Sequence, residues 1–550
     1  MIILAAAAIT RGCSTNMTGT SEAPEPTAAV KEAEVQIPAM TEQETEISVT
    51  KDDPGPDGSA PDKPVDEITL SGSGIHEECL DLIEDIIEND IKYGFTSAQL
   101  AIIKDGRLVY ENAWGKIDRD SDIPATTDTM YDLASVTKVF GVNYALQKLV
   151  SDGVLSLDEK ITDYLGDRFA DDVIEIHYNE GDDPDLETQK EWKRSLCIKD
   201  LLMHQSGFPA DPKYCNPHVD TEAQKPDSEK TNLLYAGNGS DSITRENTIE
   251  AICKTPLLYK PGTRTVYSDV DYMILGLIVE KAAGMDLDSY LKENFCRPMG
   301  LEHITYKPLE NGFIPDDCAA TELHGNTRDG AVWFEGIREY ELQGEVHDEK
   351  AYYSMGGISG HAGLFSNAAD LAKLAELMLT GRYEGEVFFS EDVIREFTAP
   401  KSEAATNWGL GWWRQGDKQR AKYFGPAAGA GTIGHEGWTG TLIMIDPDRK
   451  LVIAYLTNKL NTPVTDKISN PNMFDGNWYT AASLGFVPEI VYIGMDEETD
   501  VSADLLAEAV KLTDDAASAV SDDMPEDHPA RLNLKSKQDI LKELKEHDNQ

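Results

Sequence analysis

The sequence predicts a mixed α/β domain of the α+β type. One antiparallel sheet is built from both ends of the domain and flanked by helices, with a mostly helical second lobe. Strand-like runs lie near the start of the domain, at 98–103 and 108–113, and near its end, at 441–445 and 451–456. Between them the chain has mainly helical periodicity and loops. The strands of the two ends must therefore meet in one sheet, and we expect the functional site in the cleft between the two lobes.

Local signals mark the elements in order along the chain. Apolar residues recur at helical spacing through 75–91, which predicts the first helix. Lys-Asp-Gly at 104–106 predicts a hairpin between the first two strands, and Asp-Pro-Asp at 446–448 predicts the turn between the last two. A further helix is predicted to begin with Ser366 as its N-cap and to end at Gly381.

Composition limits the kinds of partner that the protein can have. The 550 residues are more than one compact core needs, so we expect one large domain with appendages, or two domains. With 49 Lys and Arg against 99 Asp and Glu, the formal net charge is −50. Such a polyanion repels nucleic acid and anionic lipid surfaces. No run approaches the roughly 20 apolar residues that a membrane span requires. We therefore expect no nucleic-acid partner.

The chain divides into four segments by composition. Residues 1–13 end in Cys13 after a short apolar run and resemble the end of a bacterial lipoprotein signal, in which the cysteine is lipidated; the alternative is a chance apolar N-terminus. Residues 14–72 are rich in Pro, Thr and Glu, which predicts a disordered acidic spacer. We expect the folded domain at 73–495 and a charged helical tail at 496–550. An exported protein of the cell envelope, held to a membrane only through a lipid anchor at Cys13, follows from the first two segments.

The cysteines and histidines form no recognisable metal pattern. The six cysteines after Cys13 contain no C-x-x-C pair and are predicted to be buried thiols. His-Asp-Glu at 347–349 together with His361 matches no known ligand spacing, so we predict no metal site. His204 is predicted to be a structural, hydrogen-bonded histidine.

Three Ser-x-x-Lys matches occur, beginning at Ser48, Ser135 and Ser289. The first lies in the spacer and the third lies inside a helical run, so only Ser135 stands at the start of a predicted helix. A serine hydroxyl at a helix N-terminus lies in the positive end of the dipole, and its own N–H points at an incoming oxyanion. Lys138 follows one turn later on the same face, where its amine can take the hydroxyl proton. Ser135 and Lys138 are therefore candidate catalytic residues.

Two further motifs follow in the chain. The first is Tyr-Ser-Asp at 267–269, and the second is Gly-His-Glu-Gly-Trp-Thr-Gly at 434–440, which leads into a predicted strand. Together with the Ser-x-x-Lys motif they resemble the three signatures of the serine β-lactamase and penicillin-binding protein superfamily. The likeness spans about 75–460, and the segments 346–349 and 360–366 look like the 4B type of penicillin-binding protein and β-lactamase-like esterases.

The resemblance implies a β-lactamase/transpeptidase-like fold and a role for each motif. Ser135 would attack a carbonyl carbon, and Tyr267, with Lys138, would move the proton to and from the leaving group. The backbone N–H groups of Ser135 and Trp438 would bind the oxyanion. The positions that would contact the substrate are Asp269, His435 and Gly437. The resemblance implies no metal and no cofactor.

Asp269 stands where this superfamily usually has asparagine. An ionised carboxylate accepts hydrogen bonds but cannot donate one to a substrate amide. Its charge favours the ammonium form of Lys138, and that ammonium in turn is expected to make Tyr267 more acidic. We therefore predict that Tyr267 is the working base.

His435 stands where related peptidases have a cationic residue that helps to hold the substrate carboxylate. Histidine is mostly neutral above pH about 6.5, so the anchor is expected to be weak at neutral pH and peptidase activity to improve as His435 is protonated. Gly437 is expected to leave room for the substrate backbone along the strand.

These features predict a serine hydrolase that forms an acyl-enzyme on Ser135. The resemblance implies a D-alanyl-D-alanine carboxypeptidase-like, penicillin-binding activity on a small-molecule or peptidoglycan-type acyl substrate. A carboxylic ester hydrolase is the alternative that His435 and Asp269 favour, and a β-lactamase is a third. A penicillin-binding sensor without turnover is the non-enzyme alternative, although a sensor would have no chemical use for Ser135, Lys138 and Tyr267 together.

Overall fold

The structure, a computed structural model, describes residues 68–403, 405–496, 500–520 and 524–548. The predicted signal segment, 1–13, and nearly all of the predicted spacer lie outside the described residues. The boundaries expected for the domain and the tail, 73–495 and 496–550, stay predictions.

Strands from both ends of the chain form the central sheet. The strands are β1 (Ser97–Lys104), β2 (Arg107–Gly115), β3 (Tyr131–Asp132), β4 (Val219–Asp220), β5 (Lys225–Pro226), β6 (Thr305–Tyr306), β7 (Ala320–Glu322), β8 (Leu342–Gln343), β9 (Leu364–Ser366), β10 (Arg382–Tyr383), β11 (Glu386–Val387), β12 (Trp413–Arg414), β13 (Ile433–Gly437), β14 (Thr441–Asp446), β15 (Leu451–Thr457), β16 (Val464–Asp466) and β17 (Asn470–Phe474). The order in the six-stranded sheet is β12-β13-β14-β15-β1-β2, with every neighbour antiparallel. The register places Ala101 opposite Ala454, so the two ends of the domain meet as predicted.

The described residues also form α-helices, which are joined by turns and loops. They are α1 (Glu77–Lys92), α2 (Tyr144–Ser151), α3 (Ile161–Leu165), α4 (Arg168–Asp171), α5 (Leu186–Ser195), α6 (Ile198–Leu202), α7 (Ser242–Lys254), α8 (Asp269–Ala283), α9 (Leu287–Leu291), α10 (Arg297–Met299), α11 (Ala368–Thr380), α12 (Glu391–Thr398), α13 (Ala421–Phe424), α14 (Phe486–Gly494), α15 (Val501–Ala519) and α16 (Pro529–Asp548). Within the described ranges, none of them is long and apolar enough to cross a membrane.

Helices cover both faces of the central sheet. Ile443 and Ile445 of β14 pack into a core that includes α11, whereas Leu442 and Met444 pack into a second core with α1 and α14. Because both faces are buried, the strands are continuous apolar runs without polar alternation, which is the pattern that the sequence shows. The mixed α/β fold with an antiparallel sheet is confirmed.

The helix predicted from Ser366 begins one residue later. Ser366 pairs with Tyr131 as the last residue of β9, so it is held in the sheet. Asn367 is the N-cap instead, and its side chain accepts a hydrogen bond of 2.9 Å from the N–H of Asp370. The predicted end is correct, because Gly381 caps α11 with a left-handed φ of 70°.

The second lobe is largely helical and is built around α8. This helix is buried along most of its length, from Val270 to Val279. It begins at Asp269, so its N-terminus presents the Tyr-Ser-Asp motif to the sheet. The six cysteines in the described part of the chain are free thiols, and all of them are buried except Cys197, which is partly exposed.

Candidate active site

Ser135 lies in a short 3-10 turn, Ala134–Val136, at the start of a helical segment that continues into α2. The residue before it, Ala134, has a left-handed φ of 44°, a conformation that costs a non-glycine residue about 1 kcal/mol. The N–H of Ala134 donates a hydrogen bond of 2.8 Å to the side chain of Asp132, which holds the turn. The predicted helix start at Ser135 is therefore present, in a tight and partly strained form.

The amine of Lys138 is fully buried and has three acceptors around it. Its Nζ lies 3.0 Å from the Oγ of Ser135, 2.8 Å from Oδ1 of Asp269 and 3.1 Å from the carbonyl oxygen of His361. Asp269 and His361 each take one N–H. The third position of the nitrogen, either a proton or a lone pair, therefore faces the hydroxyl of Ser135.

Tyr267 precedes α8 and lies against Lys138. The Nζ of Lys138 is 4.7 Å from the centre of the Tyr267 ring, and both Lys138 and Ser135 lie near enough to the phenol to influence its pKa. His204 packs beneath the Tyr267 ring at a centroid distance of 4.6 Å, and its Nδ1 is 3.0 Å from Asp271. His204 is thus a buried, hydrogen-bonded support of the tyrosine, in line with its predicted structural role.

The charges at this site differ from the prediction in one respect. Burial disfavours the ammonium form of Lys138, but Asp269 and Tyr267 outweigh that effect and raise the pKa of Lys138 above its usual value. The pKa of Tyr267 is also raised, because its burial outweighs the neighbouring Lys138 charge. The Lys138 charge lowers the pKa of Tyr267 as expected, but burial has the larger effect, so the resting pair is an ammonium beside a neutral phenol.

Asp269 bridges two lysines, and the second one was missed by the sequence analysis. Its Oδ2 lies 3.1 Å from the Nζ of Lys350, whose side chain is 3% exposed. Lys350 also pairs with Asp211 and lies 3.7 Å from Asp348. The ammonium groups of Lys138 and Lys350 together outweigh the effect of burial and lower the pKa of Asp269 well below its usual range. The sequence contains one indication of Lys350: it directly follows 346–349, a segment that looks like the 4B type of penicillin-binding protein.

Asp269, Asp348 and His361 offer ligand atoms within 4.8 Å of one another. The ammonium of Lys350 already lies beside both carboxylates, so their charge is balanced without a cation from solvent. The Nε2 of His361 is 2.8 Å from Asp348, and its Nδ1 is 2.8 Å from the hydroxyl of Ser359. We therefore assign these groups to ion pairs and hydrogen bonds.

Strand β13 is fixed beside the serine by two threonines that follow it, Thr439 in the turn and Thr441 at the start of β14. The hydroxyl of Thr439 donates to the carbonyl of Asp132 at 2.7 Å, and that of Thr441 donates to the carbonyl of Leu133 at 3.1 Å. Because Asp132 and Leu133 immediately precede the Ser135 turn, these bonds bring Trp438 next to it. The Trp438 side chain is 39% exposed, and its ring lies 5.0 Å from that of His347.

His435 faces the same site, and its environment corrects the predicted titration. Its ring is buried between Tyr267, at a centroid distance of 6.1 Å, and Trp413, at 4.7 Å. Burial, and then the charge of Lys138, lower the pKa of His435 to about 3. The expectation that His435 becomes a useful cation near neutral pH is therefore wrong.

Gly437 is required for a different reason from the predicted one. A Cβ at this position would lie 2.1 Å from the Oγ1 of Thr441 and 2.3 Å from the carbonyl oxygen of Leu133. A side chain would therefore collide with the protein before it reached a substrate. Gly437 allows β13 to approach the serine turn closely.

Arg420 supplies a cation that the sequence analysis did not single out. Its guanidinium stacks 3.8 Å above the ring of Trp413, which in turn contacts His435. Within the described ranges, the Nε of Arg420 is buried and has no hydrogen-bond partner. Burial lowers the pKa of Arg420, and the nearby Tyr423, Glu436 and Tyr267 oppose that effect only in part. No sequence pattern marks Arg420, because only the fold brings it to the site.

Comparison with known proteins identifies the family of this chain. The family model described as Beta-lactamase matches residues 82–477. The chain belongs to the β-lactamase family. A protein of Escherichia coli K12 named "Putative D-alanyl-D-alanine carboxypeptidase" is 42% identical over 434 residues, which cover 78% of this chain and 93% of that protein. A protein of the same name from Salmonella typhimurium LT2 is 42% identical over 427 residues, or 76% and 91% of the two chains.

Solved structures show the same fold at low identity. EstCE1, a hydrolase with promiscuous acyltransferase activity, superposes with a TM-score of 0.52 and 20% identity, covering 75% of this chain and 98% of its own. A penicillin-binding protein homologue from Caulobacter crescentus gives a TM-score of 0.51 and 19% identity, with 76% and 98% covered. This member of the β-lactamase family is a serine hydrolase.

Proposed function

We propose that this chain is a serine-type D-alanyl-D-alanine carboxypeptidase that works through an acyl-enzyme on Ser135. The observation that carries the proposal is the position of the Lys138 Nζ, 3.0 Å from the serine hydroxyl with its other two N–H groups held by Asp269 and His361. Because Asp269 and His361 occupy two directions of the Lys138 nitrogen, this geometry favours proton transfer along the third, between Lys138 and the hydroxyl of Ser135. The shared identity with the two carboxypeptidase-named relatives supports the substrate class.

In acylation, Ser135 Oγ forms a bond to the carbonyl carbon of the penultimate D-alanine. Once the Lys138 and Tyr267 pair has lost one proton to solvent, it accepts the hydroxyl proton and passes it to the leaving amine as the C–N bond breaks. The N–H groups of Ser135 and Trp438 would stabilise the oxyanion. A water molecule then cleaves the acyl ester, and the proton that it loses returns to the serine oxygen.

Arg420 is proposed to bind the terminal carboxylate of the substrate. His435 is neutral, so it provides no charge for this purpose. Arg420 lies next to it on the Trp413 ring with a buried and unpartnered Nε. A guanidinium recognises a carboxylate through paired hydrogen bonds. The chain thus has a local positive group for an anionic peptide despite its net negative charge.

An ester hydrolase is the second candidate. Asp269 has both oxygens engaged by lysines, so it provides no amide-binding donor of the kind that asparagine gives a peptide substrate. Esters do not need that donor.

The proposed location is the cell envelope, with the chain exported and attached through a lipid on Cys13. Support comes from the lipoprotein-like sequence before Cys13 and from the proposed peptidoglycan substrate. Metabolic labelling with a radioactive fatty acid should mark the wild type and not Cys13→Ser.

Three substrates distinguish the candidate functions: a diacyl D-Ala-D-Ala peptide, a short-chain nitrophenyl ester and a fluorescent penicillin, each tested with Ser135→Ala as control. Release of D-alanine that the control lacks supports the carboxypeptidase. Turnover of the ester alone supports the esterase. Hydrolysis of the penicillin supports a β-lactamase, and stable labelling with no turnover of any substrate supports the sensor.

Substitution Arg420→Gln is expected to raise KM for the D-Ala-D-Ala peptide about tenfold or more, because a charge-assisted bond to the carboxylate is lost. The nitrophenyl ester, which has no carboxylate, should be turned over within about twofold of the wild-type rate. Arg414→Gln is the matched control, since Arg414 lies on the neighbouring β12 and donates to the carbonyl of Thr406. Equal losses on peptide and ester would argue against carboxylate binding by Arg420.

A further inference from the structure

Five charged or polar groups form a closed ring beside the serine. From Lys138 the ring runs to Asp269 at 2.8 Å and on to Lys350 at 3.1 Å. It continues to Asp348 at 3.7 Å and to the ring of His361 at 2.8 Å. The carbonyl of His361 accepts from Lys138 at 3.1 Å and closes the ring. The members come from four separate parts of the chain, so only the folded structure makes this connection.

Lys350 is the member of the ring that the proposed reaction does not use. It is 2% exposed, and its ammonium is surrounded by three carboxylates, those of Asp211, Asp269 and Asp348. It does not contact Lys138 directly, and the shorter connection between the two lysines runs through Asp269. A buried ammonium in such a position changes the electrostatic potential at its neighbours even though it does not contact the substrate.

We propose that Lys350 is a positioning residue that shares Asp269 with Lys138 and thereby limits how strongly Asp269 holds the proton of the Lys138 ammonium. This inference rests on the proposed role of Ser135 and Lys138, and not on the peptide specificity. Oδ1 of Asp269 lies 2.8 Å from the Nζ of Lys138, and Oδ2 lies 3.1 Å from the Nζ of Lys350. Without Lys350, the whole carboxylate charge, and those of Asp211 and Asp348, would act on Lys138.

The direction of the effect is the same whichever member of the catalytic pair loses the proton. Lys138 and Tyr267 are coupled, so the pH dependence of acylation reports the pair. Removal of a nearby positive charge makes deprotonation of either group harder. The other titratable side chains near Lys138 include Asp269, Tyr272, His204 and His435, and the backbone carbonyl of His361 also faces it. These groups are all still present when Lys350 is replaced, so a shift of the pH profile reports the loss of the Lys350 charge.

The test is the pH profile of kcat/KM for a neutral nitrophenyl ester. Lys350→Met should move the acidic limb to higher pH by about one unit, with a roughly tenfold loss at pH 7 that recovers at alkaline pH. Lys350→Arg keeps the charge and should leave the limb in place. Asp348→Asn removes a negative charge from the same ring and should move the limb the opposite way, to lower pH. A purely structural role would reduce kcat/KM at every pH.

Lys213→Met is the matched control, because Lys213 pairs with Asp211 and not with Asp269, so its effect should be much smaller. If Lys350→Met does not fold, Asp211→Asn provides the same information: its side chain is 42% exposed, and the limb should move to lower pH. Limbs that do not move, or that move in the same direction for Lys350→Met and Asp348→Asn, would overturn the proposal. Ester turnover that survives in Ser135→Ala would instead refute the proposed nucleophile, so the two failures are distinguishable.

Discussion

At the scale of single residues, fewer groups of the site change their protonation near neutral pH than the motifs imply. Burial keeps His435 neutral and raises the pKa of Tyr267, so the resting charge at the serine is the Lys138 ammonium balanced by Asp269. An ammonium beside a neutral phenol cannot accept a further proton, so the pair must lose one proton before it can take the proton of Ser135. For this reason the potential at Asp269, and not the identity of one base, is expected to control the rate of acylation.

Replacement Tyr267→Phe tests the predicted proton carrier. The phenolate form of Tyr267 can receive the serine proton and deliver it to the leaving amine, so its removal should lower kcat/KM about 10²- to 10⁴-fold. Acylation by a fluorescent penicillin in rapid-mixing experiments measures this step directly. Tyr272→Phe is the control, because Tyr272 lies on α8, the helix that follows Tyr267, and its hydroxyl donates to Asn143 at 2.9 Å. Near-normal acylation in Tyr267→Phe would assign the whole task to Lys138.

The protonation of His435 has a clear signature. Its folded pKa of about 3 lies below the ordinary value of about 6.5, so the ring stays neutral at every pH from about 4 upward. D-Alanine release between pH 5 and 8 should therefore show no increase on the acidic side. His435→Asn should have the same pH profile as the wild type. A rise in wild-type activity below pH 6.5 that disappears in His435→Asn would contradict this assignment.

At the scale of elements, the sequence predicts the existence and type of the strands well, and their ends less well. The runs that became β1, β14 and β15 are short, apolar and flanked by turns, so they could be recognised although both faces are buried. The cap of α11 was misplaced by one residue, because Ser366 and Asn367 are both good caps and only the pairing of β9 selects between them.

The interface between α14 and α15 should depend on pH. Burial, and then the nearby Glu508, raise the pKa of Glu489 to about 7. The folded state thus keeps a proton that the unfolded chain releases, so this group stabilises the fold below pH about 4.5 and loses that contribution as the pH rises to about 7. Glu489→Gln should raise the free energy of unfolding by about 1–2 kcal/mol at pH 8 and by almost nothing at pH 4.5.

Urea unfolding at the two pH values measures the difference. In Glu508→Gln the neighbouring charge is absent, so the effect of a second substitution at Glu489 should be smaller. The same stabilisation by Glu489→Gln at both pH values would show that the carboxyl does not titrate as inferred.

At the scale of the whole molecule, the two ends of the described chain stabilise each other. Asp90 of α1 is fully buried and pairs with Lys537 of α16. It also accepts hydrogen bonds of 2.7 Å from Asn533 and from the N–H of Ala481. The last helices therefore form part of the packed structure around α1 and α14.

Replacement Lys537→Met is expected to lower the free energy of unfolding by about 3–5 kcal/mol, because it leaves the Asp90 carboxylate buried without its cation. Thermal unfolding followed by circular dichroism measures the loss. The double variant Asp90→Asn with Lys537→Met should recover part of it, since no buried charge remains. A loss below about 1 kcal/mol in Lys537→Met would mean that water reaches Asp90.

The sequence by itself determined the fold class, the order of the three motifs and the place of Ser135 at a helix start. These follow from periodicity and spacing, which are local properties of the chain. The tertiary structure alone decided the charges of the site. It buried His435 fully and Tyr267 in part, brought Lys350 to Asp269 and placed Arg420 on Trp413. Burial and the distance between charges depend on segments that are far apart in sequence, and these two quantities set the pKa of each group.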